Sequence, residues 1–129
     1  MVTVIRLGGT TDPCTNPMAF TNLNRRSATN VRNLTTTPLS DRFITEGWYG
    51  QRYVKISNST PGINHCGTVY PIYLQGADPV AGPVKNRTFC VHTRSGPCAR
   101  TIQIETKRCD KFLAYNLRRT FSGYASYCV

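Results

Sequence analysis

Hydrophobic and polar residues alternate in several short stretches of the chain, and a period of two is typical of β-strands. The clearest stretch is Thr101–Thr106, in which Ile102 and Ile104 alternate with polar residues. A second alternating stretch, Lys111–Leu117, follows after the short connection Cys109–Lys111. We predict that these two strands pair as a hairpin.

Shorter strands are predicted earlier in the chain, where aromatic and β-branched residues cluster. Pro71 lies inside one of them and cannot donate a hydrogen bond to a neighbouring strand, so that strand is expected at a sheet edge or bent. The ordered core is expected to begin near Phe43, with Trp48 as a buried anchor. The alternative for Trp48 is an aromatic sugar-binding platform formed with Tyr49, Tyr53, Tyr70 and Tyr73. The predicted strands are Trp48–Tyr49, Tyr53–Ile56, Val69–Leu74 and Thr88–His92.

No window shows a sustained helical period, and residues 13–40 are rich in Asn, Thr, Arg and Pro, which is typical of loops. The predicted fold class is therefore all-β or β-rich, with short antiparallel strands, long loops and little helix. Residues 1–12 are predicted to be a lead-in strand or linker, and residues 13–129 one domain. The lead-in could add to a sheet edge of a neighbouring copy at Val69–Leu74, which would give self-association; alternatively it folds back on its own domain.

Six cysteines in a chain of 129 residues indicate three disulfides and an extracellular, oxidising location. The spacing of the cysteines alone does not choose among the possible disulfide pairings. No stretch approaches the roughly 20 apolar residues of a membrane helix, so no membrane span is expected. No secretory signal is visible, and we expect that a secreted form would already have lost it.

The net charge is +10, from 16 basic and 6 acidic residues. An excess of this size suggests an anionic partner such as a sulfated or sialylated glycan or a membrane surface. Nucleic acid is not expected. The preferred interpretation is a solvated surface that keeps the protein soluble, because the basic residues form no long run, and an anionic partner is the alternative. The candidate contacts are the basic pairs Arg25 and Arg26, Lys107 and Arg108, and Arg118 and Arg119.

The chain offers little to catalysis or metal binding. Its two histidines, His65 and His92, each lie near a cysteine, but no Cys-x-x-Cys spacing accompanies them and disulfides account for every cysteine. Asp41 and Glu46 are the nearest pair of carboxylates, and they flank a predicted strand. We expect no enzyme activity, no metal and no cofactor.

Three N-glycosylation sequons begin at Asn33, Asn58 and Asn86. Their number exceeds chance only modestly. Together with an extracellular location, they predict that at least one site carries a glycan.

The order of cysteines, aromatics and glycines resembles the cysteine-rich domain of uromodulin and the pancreatic zymogen-granule glycoprotein, often called the eight-cysteine domain. The resemblance is collinear over nearly the whole chain. The segments that carry it are Asp12–Cys14, Gly47–Tyr49, Cys66–Thr68, Pro71–Leu74, Gly76, Pro79, Gly82, Val84, Arg87, Cys90, Ser95–Cys98, Ile102–Ile104, Lys107–Cys109, Ala114–Leu117 and Tyr127–Cys128.

This resemblance implies the pairing Cys14–Cys109, Cys66–Cys128 and Cys90–Cys98. The family has further cysteines near the positions of Ser40, Thr60 and Gly123, and a second one beside Cys98. All four are missing here, and an even number of losses suggests that whole bridges were lost.

The resemblance also implies a function. The favoured one is a structural or adhesive module of a secreted or cell-surface glycoprotein, including a filament or matrix subunit, that displays N-glycans to bacterial lectins. The alternative is a cationic binding or defence protein that recognises anionic glycans or microbial surfaces.

Overall fold

The computed structural model describes residues 12–121 and 123–129. The predicted lead-in strand therefore lies outside the described residues, apart from Asp12. Within the described part the chain forms one six-stranded sheet in the order β1-β5-β4-β3-β2-β6. The elements are α1 (Leu23–Arg26), β1 (Gly47–Tyr49), β2 (Tyr70–Leu74), β3 (Lys85–Thr93), β4 (Gly96–Arg108), β5 (Leu113–Leu117) and β6 (Ala125–Tyr127). The β-rich class with little helix is confirmed.

The predicted hairpin is also confirmed. Strands β4 and β5 are antiparallel, and the Cys109 backbone N–H donates to the Phe112 carbonyl at 2.9 Å across the turn. Strand β4 is longer than its alternating stretch, because it pairs with β3 from Thr106 back to Gly96. The β3–β4 ladder is the longest in the sheet and forms its centre.

Of the two alternatives for the strand around Pro71, an edge strand or a bent one, the position at a sheet edge is wrong. Strand β2 lies between β3, which is antiparallel to it, and β6, which is parallel to it. The Tyr70 N–H donates towards β6, so the Pro71 nitrogen faces the β3 side, just before the first pair, Ile72 with Val91. The N–H that Pro71 lacks is therefore not needed for the hydrogen bonds between β2 and β3. Because β2 is paired on both sides, it has no free edge that could accept a strand from another copy.

Three further expectations are corrected. Tyr53–Ile56 is not a strand: Arg52 and Tyr53 form a turn between the bridged residues Gln51 and Val54, with Tyr53 at a φ of 66° and 96% exposed. The core begins before Phe43, which is 75% exposed, because Phe20 already packs in it. Trp48 is only half-buried, because in β1 its neighbour Tyr49 points to the core and alternation turns Trp48 to the other face.

One face of the sheet carries the core. Phe89 and Tyr115 meet edge to face at its centre, with ring centroids 6.1 Å apart, and Tyr127 is fully buried nearby in the same cluster. Both of these tyrosines have a partner for the hydroxyl: Tyr115 accepts from the Ile56 N–H at 3.1 Å, and Tyr127 donates to the Arg118 carbonyl at 2.7 Å. These bonds remove the main cost of burying a phenol.

Burial raises the pKa of both Tyr115 and Tyr127 well above the ordinary tyrosine value. A raised folded-state pKa means that stability is complete below the unfolded pKa of about 10 and is lost as pH rises above it. We expect unfolding at alkaline pH, with each tyrosine contributing about 1.4 kcal/mol of destabilisation per pH unit. Tyrosinate absorbance should show these two residues titrating only together with loss of structure; titration of every tyrosine in a domain that stays folded would contradict this.

Three disulfides staple the sheet, and they join the same pairs that the family resemblance implies. Cys14–Cys109 ties the first described residues to the end of β4, Cys66–Cys128 ties the loop before β2 to the residue after β6, and Cys90–Cys98 links β3 to β4. Two of the positions where the family has extra cysteines also meet: the Ser40 hydroxyl donates to the Gly123 carbonyl at 2.8 Å. This hydrogen bond joins the two positions where other family members have cysteines.

Candidate functional site

Arg26 is not available to a partner, which corrects its assignment as an anionic-partner contact. It is 3% exposed, and its guanidinium donates to both carboxylate oxygens of Asp41 at 2.7 and 2.8 Å. Asp41 is equally buried. Such a two-point pair neutralises both charges inside the domain, so this arginine adds nothing to the charge of the surface.

The pair fixes the segments around it. Asp41 also accepts the Tyr127 N–H at 2.8 Å, and Arg26 donates to the Thr21 carbonyl at 2.7 Å. Through its backbone carbonyl, Asp41 accepts from Ile44 at 3.2 Å and from Thr120 at 3.4 Å. The loop after Asp41 and the segment after β5 are therefore held side by side.

These two segments carry a basic surface, which we call the arginine surface. Arg119 donates from its side chain to the Ile44 carbonyl at 3.1 Å, so it lies against the neighbouring loop. Arg118 lies 3.4 Å from Glu46, the one carboxylate found on this surface in the described chain. The arginine surface comprises Arg42, Arg100, Arg118 and Arg119, together with Phe43 and Phe121.

Two of these arginines stack on aromatic rings. The Arg100 guanidinium carbon is 3.8 Å from the centroid of Phe121, and that of Arg42 is 4.8 Å from the centroid of Phe43. A guanidinium attracted to the face of an aromatic ring can still donate from its N–H groups to an anion. The arrangement can bind sulfate or carboxylate groups of a polyanion.

Sequence reasoning missed Arg42 and Arg100, because neither belongs to a basic pair. Arg100 reaches the surface from β4, and only the chain path after β5 brings Phe121 beneath it. Only for Arg42 does the sequence itself suggest an arginine–aromatic contact, because Arg42 directly precedes Phe43.

The other predicted basic residues lie elsewhere. Lys107 donates to the Gly82 carbonyl and Arg108 to the Pro79 carbonyl, both at 2.8 Å, so they hold the loop between β2 and β3. Arg25 is exposed and donates to the Thr37 carbonyl at 2.7 Å. These contacts involve neutral carbonyls, so the three charges are not neutralised, but they are not part of the arginine surface.

All three sequon asparagines are exposed. Asn33 closes a turn in which its side-chain oxygen accepts from the Thr35 hydroxyl at 2.8 Å. Asn58 lies in the loop before β2, whereas Asn86 lies within β3. The sites thus occupy three separate segments.

The residues considered for catalysis or metal binding have other partners. His65 contacts the Ala28 carbonyl at 2.9 Å and His92 the Pro61 carbonyl at 2.7 Å, each through Nδ1. Asp41 is engaged by Arg26, and Glu46 accepts the Arg119 N–H at 2.9 Å. Within residues 12–121 and 123–129, no group of three metal-ligating side chains is found.

The fold and its surface define a disulfide-stapled β-sheet module that presents a basic face and exposed sequons. Residues 47–129 match the family model of the uromodulin-like cysteine-rich domain. The chain is also 30% identical to uromodulin of Mus musculus over 88 residues, which is 64% of this chain and 14% of that protein. This chain belongs to the uromodulin-like cysteine-rich domain family.

The match to the family begins at β1, but the structure ties the preceding residues to the same sheet through Cys14–Cys109 and Phe20. No helix in the described part of the chain is long and apolar enough to cross a membrane. The comparison covers a small part of uromodulin, so it concerns this domain rather than the whole relative.

Proposed function

We propose that this chain is a structural and adhesive module of an extracellular glycoprotein, which displays N-glycans rather than catalysing a reaction. The observation that carries the proposal is the exposure of all three sequon asparagines, Asn33, Asn58 and Asn86, on separate segments of one stapled sheet. A rigid frame of this kind holds attached glycans in fixed directions, where lectins on bacterial surfaces can reach them.

Membership in the uromodulin-like family supports an extracellular setting, and the three disulfides suit an oxidising compartment. Self-association into a filament or matrix is part of the proposal. Strand β2 is paired on both sides and cannot receive a donated strand. A lead-in from a neighbouring copy would have to pair with one of the edge strands, β1 or β6.

Glycan display predicts that the protein from a eukaryotic secretory host carries N-glycan on at least one of the three asparagines. Intact-mass analysis before and after treatment with an N-glycosidase measures this, and Asn→Gln variants at each position assign the sites. An unchanged mass would remove the display function.

The arginine surface supports a second candidate, the binding of anionic glycans. Among the described residues, this surface carries four arginines and a single carboxylate, Glu46, which is near Arg118, and two of the arginines lie over phenylalanine rings. A sulfated glycan offers repeated anions that match this density of guanidinium groups.

This candidate predicts salt-dependent binding to heparin. The double variant Arg42→Gln/Arg100→Gln should bind about tenfold more weakly, since it removes two surface charge contacts. The matched control Lys85→Gln/Lys111→Gln removes the same charge from exposed residues of other segments. Equal weakening in both variants would show that binding follows net charge and not the arginine surface.

A further inference from the structure

The sheet face opposite the core carries a row of polar side chains that ends at the tryptophan. Asn86 on β3 pairs with Glu105 on β4, and Asn116 on β5 pairs with Trp48 on β1. The two pairs are joined by a hydrogen bond from the Asn116 side-chain amide to Glu105 at 3.0 Å. We call these four residues the outer row.

The outer row is open to solvent and held in place. Asn86 and Glu105 are exposed, whereas Asn116 and Trp48 are half-buried. On β3 and β4 the next row is also polar, with the Gln103 amide donating to the Thr88 hydroxyl at 3.1 Å. The described part of this face thus offers amide and carboxylate groups beside an indole.

This chemistry fits a sugar. Pyranose hydroxyls both donate and accept hydrogen bonds, which carboxylates and side-chain amides can satisfy. The apolar face of a sugar ring stacks on an aromatic ring such as indole. None of the four residues is cationic, and Lys107, two positions after Glu105 on the same face of β4, donates its ammonium to the Gly82 carbonyl at 2.8 Å. The outer row is therefore suited to a neutral oligosaccharide and not to the polyanions that the arginine surface would bind.

We propose that the N-glycan attached at Asn86 lies back along the outer row and stacks on Trp48. The proposal rests on glycan display at Asn86. The attachment point is itself the first member of the row, and Trp48 lies three strands away, roughly 15 Å at the usual strand spacing. A branched glycan core of several sugar rings spans this distance, and tethering supplies a high effective concentration without a strong intrinsic affinity.

Trp48 is the only tryptophan in the sequence, so fluorescence excited at wavelengths where tyrosine does not absorb reports on the surroundings of this residue. We expect that acrylamide quenches Trp48 about half as efficiently in the glycosylated protein as in the Asn86→Gln variant, because the indole is already half-buried and a stacked sugar covers part of the surface that stays exposed. The double variant Glu105→Ala/Asn116→Ala, still glycosylated at Asn86, should be quenched like Asn86→Gln, since the row no longer guides the glycan.

The Asn33→Gln variant is the matched control, because it removes a sequon from a different segment and should leave the quenching unchanged. Intact-mass measurement shows whether Asn86 carries a glycan, and so separates a missing glycan from a glycan that does not contact Trp48. An Asn86 without glycan would overturn both the display function at that position and the glycan contact. An occupied Asn86 with the same quenching as Asn86→Gln would overturn the contact alone.

Discussion

Replacing Asp41 with asparagine should lower the free energy of unfolding by about 3–5 kcal/mol, the range found when one partner of a buried ion pair is removed. The substitution keeps the size of the side chain but removes the charge that compensates Arg26. Both side chains are 4% exposed, so water cannot take the place of the carboxylate. The Tyr127 N–H, which now donates to Asp41, would lose a charged acceptor as well.

Urea denaturation followed by circular dichroism measures the effect. Glu46→Gln is the matched control, because it neutralises a carboxylate in an ion pair with Arg118 that is largely exposed. Exposed pairs contribute about 0–1 kcal/mol. Similar losses in the two variants would mean that the buried pair does not hold the domain together.

Removing the Cys66–Cys128 bridge should be the other severe change. With both cysteines replaced by alanine, the domain should lose about 4 kcal/mol by the chain-entropy estimate for the loop that this bridge closes. The two cysteines are separated by 62 residues and are fully buried, so packing is lost in addition. The alanine variant of Cys90–Cys98, which spans 8 residues, should lose only about 2–3 kcal/mol.

Thermal unfolding of the two alanine variants under the same conditions gives the comparison. The Cys66–Cys128 variant should have the lower melting temperature of the two. The reverse order would show that the short bridge between β3 and β4 matters more than closure of the long loop.

The strands that were predicted best from the sequence are those with one buried face and one solvent-exposed face. Ile102 and Ile104 alternate with polar residues because β4 has a core face and a solvent face, and this period is visible without a structure. Pro71 misled the prediction, since its effect depends on which side of β2 its nitrogen faces. Strand β6 was missed because Ala125–Tyr127 is too short to show a period.

The binding surfaces were harder to predict, because they combine distant segments. Arg26 and Arg25 look alike in the sequence, yet one is buried on Asp41 and the other is exposed. Only the tertiary fold decides between them. The meeting of Arg100 with Phe121, and of Glu105 with Asn116, likewise depends on strand order and register.

The order of the cysteines along the chain has a consequence for the biosynthesis of an extracellular module. For the extracellular module proposed above, vectorial synthesis would bring Cys14 and Cys66 into the secretory compartment first, and their final partners, Cys109 and Cys128, last. Until then the two early thiols can react only with wrong partners or stay reduced. The short bridge Cys90–Cys98 can close earlier, but these two long-range bridges would wait for nearly the whole domain to be translocated. Their formation would therefore depend on thiol exchange by the oxidoreductases of that compartment.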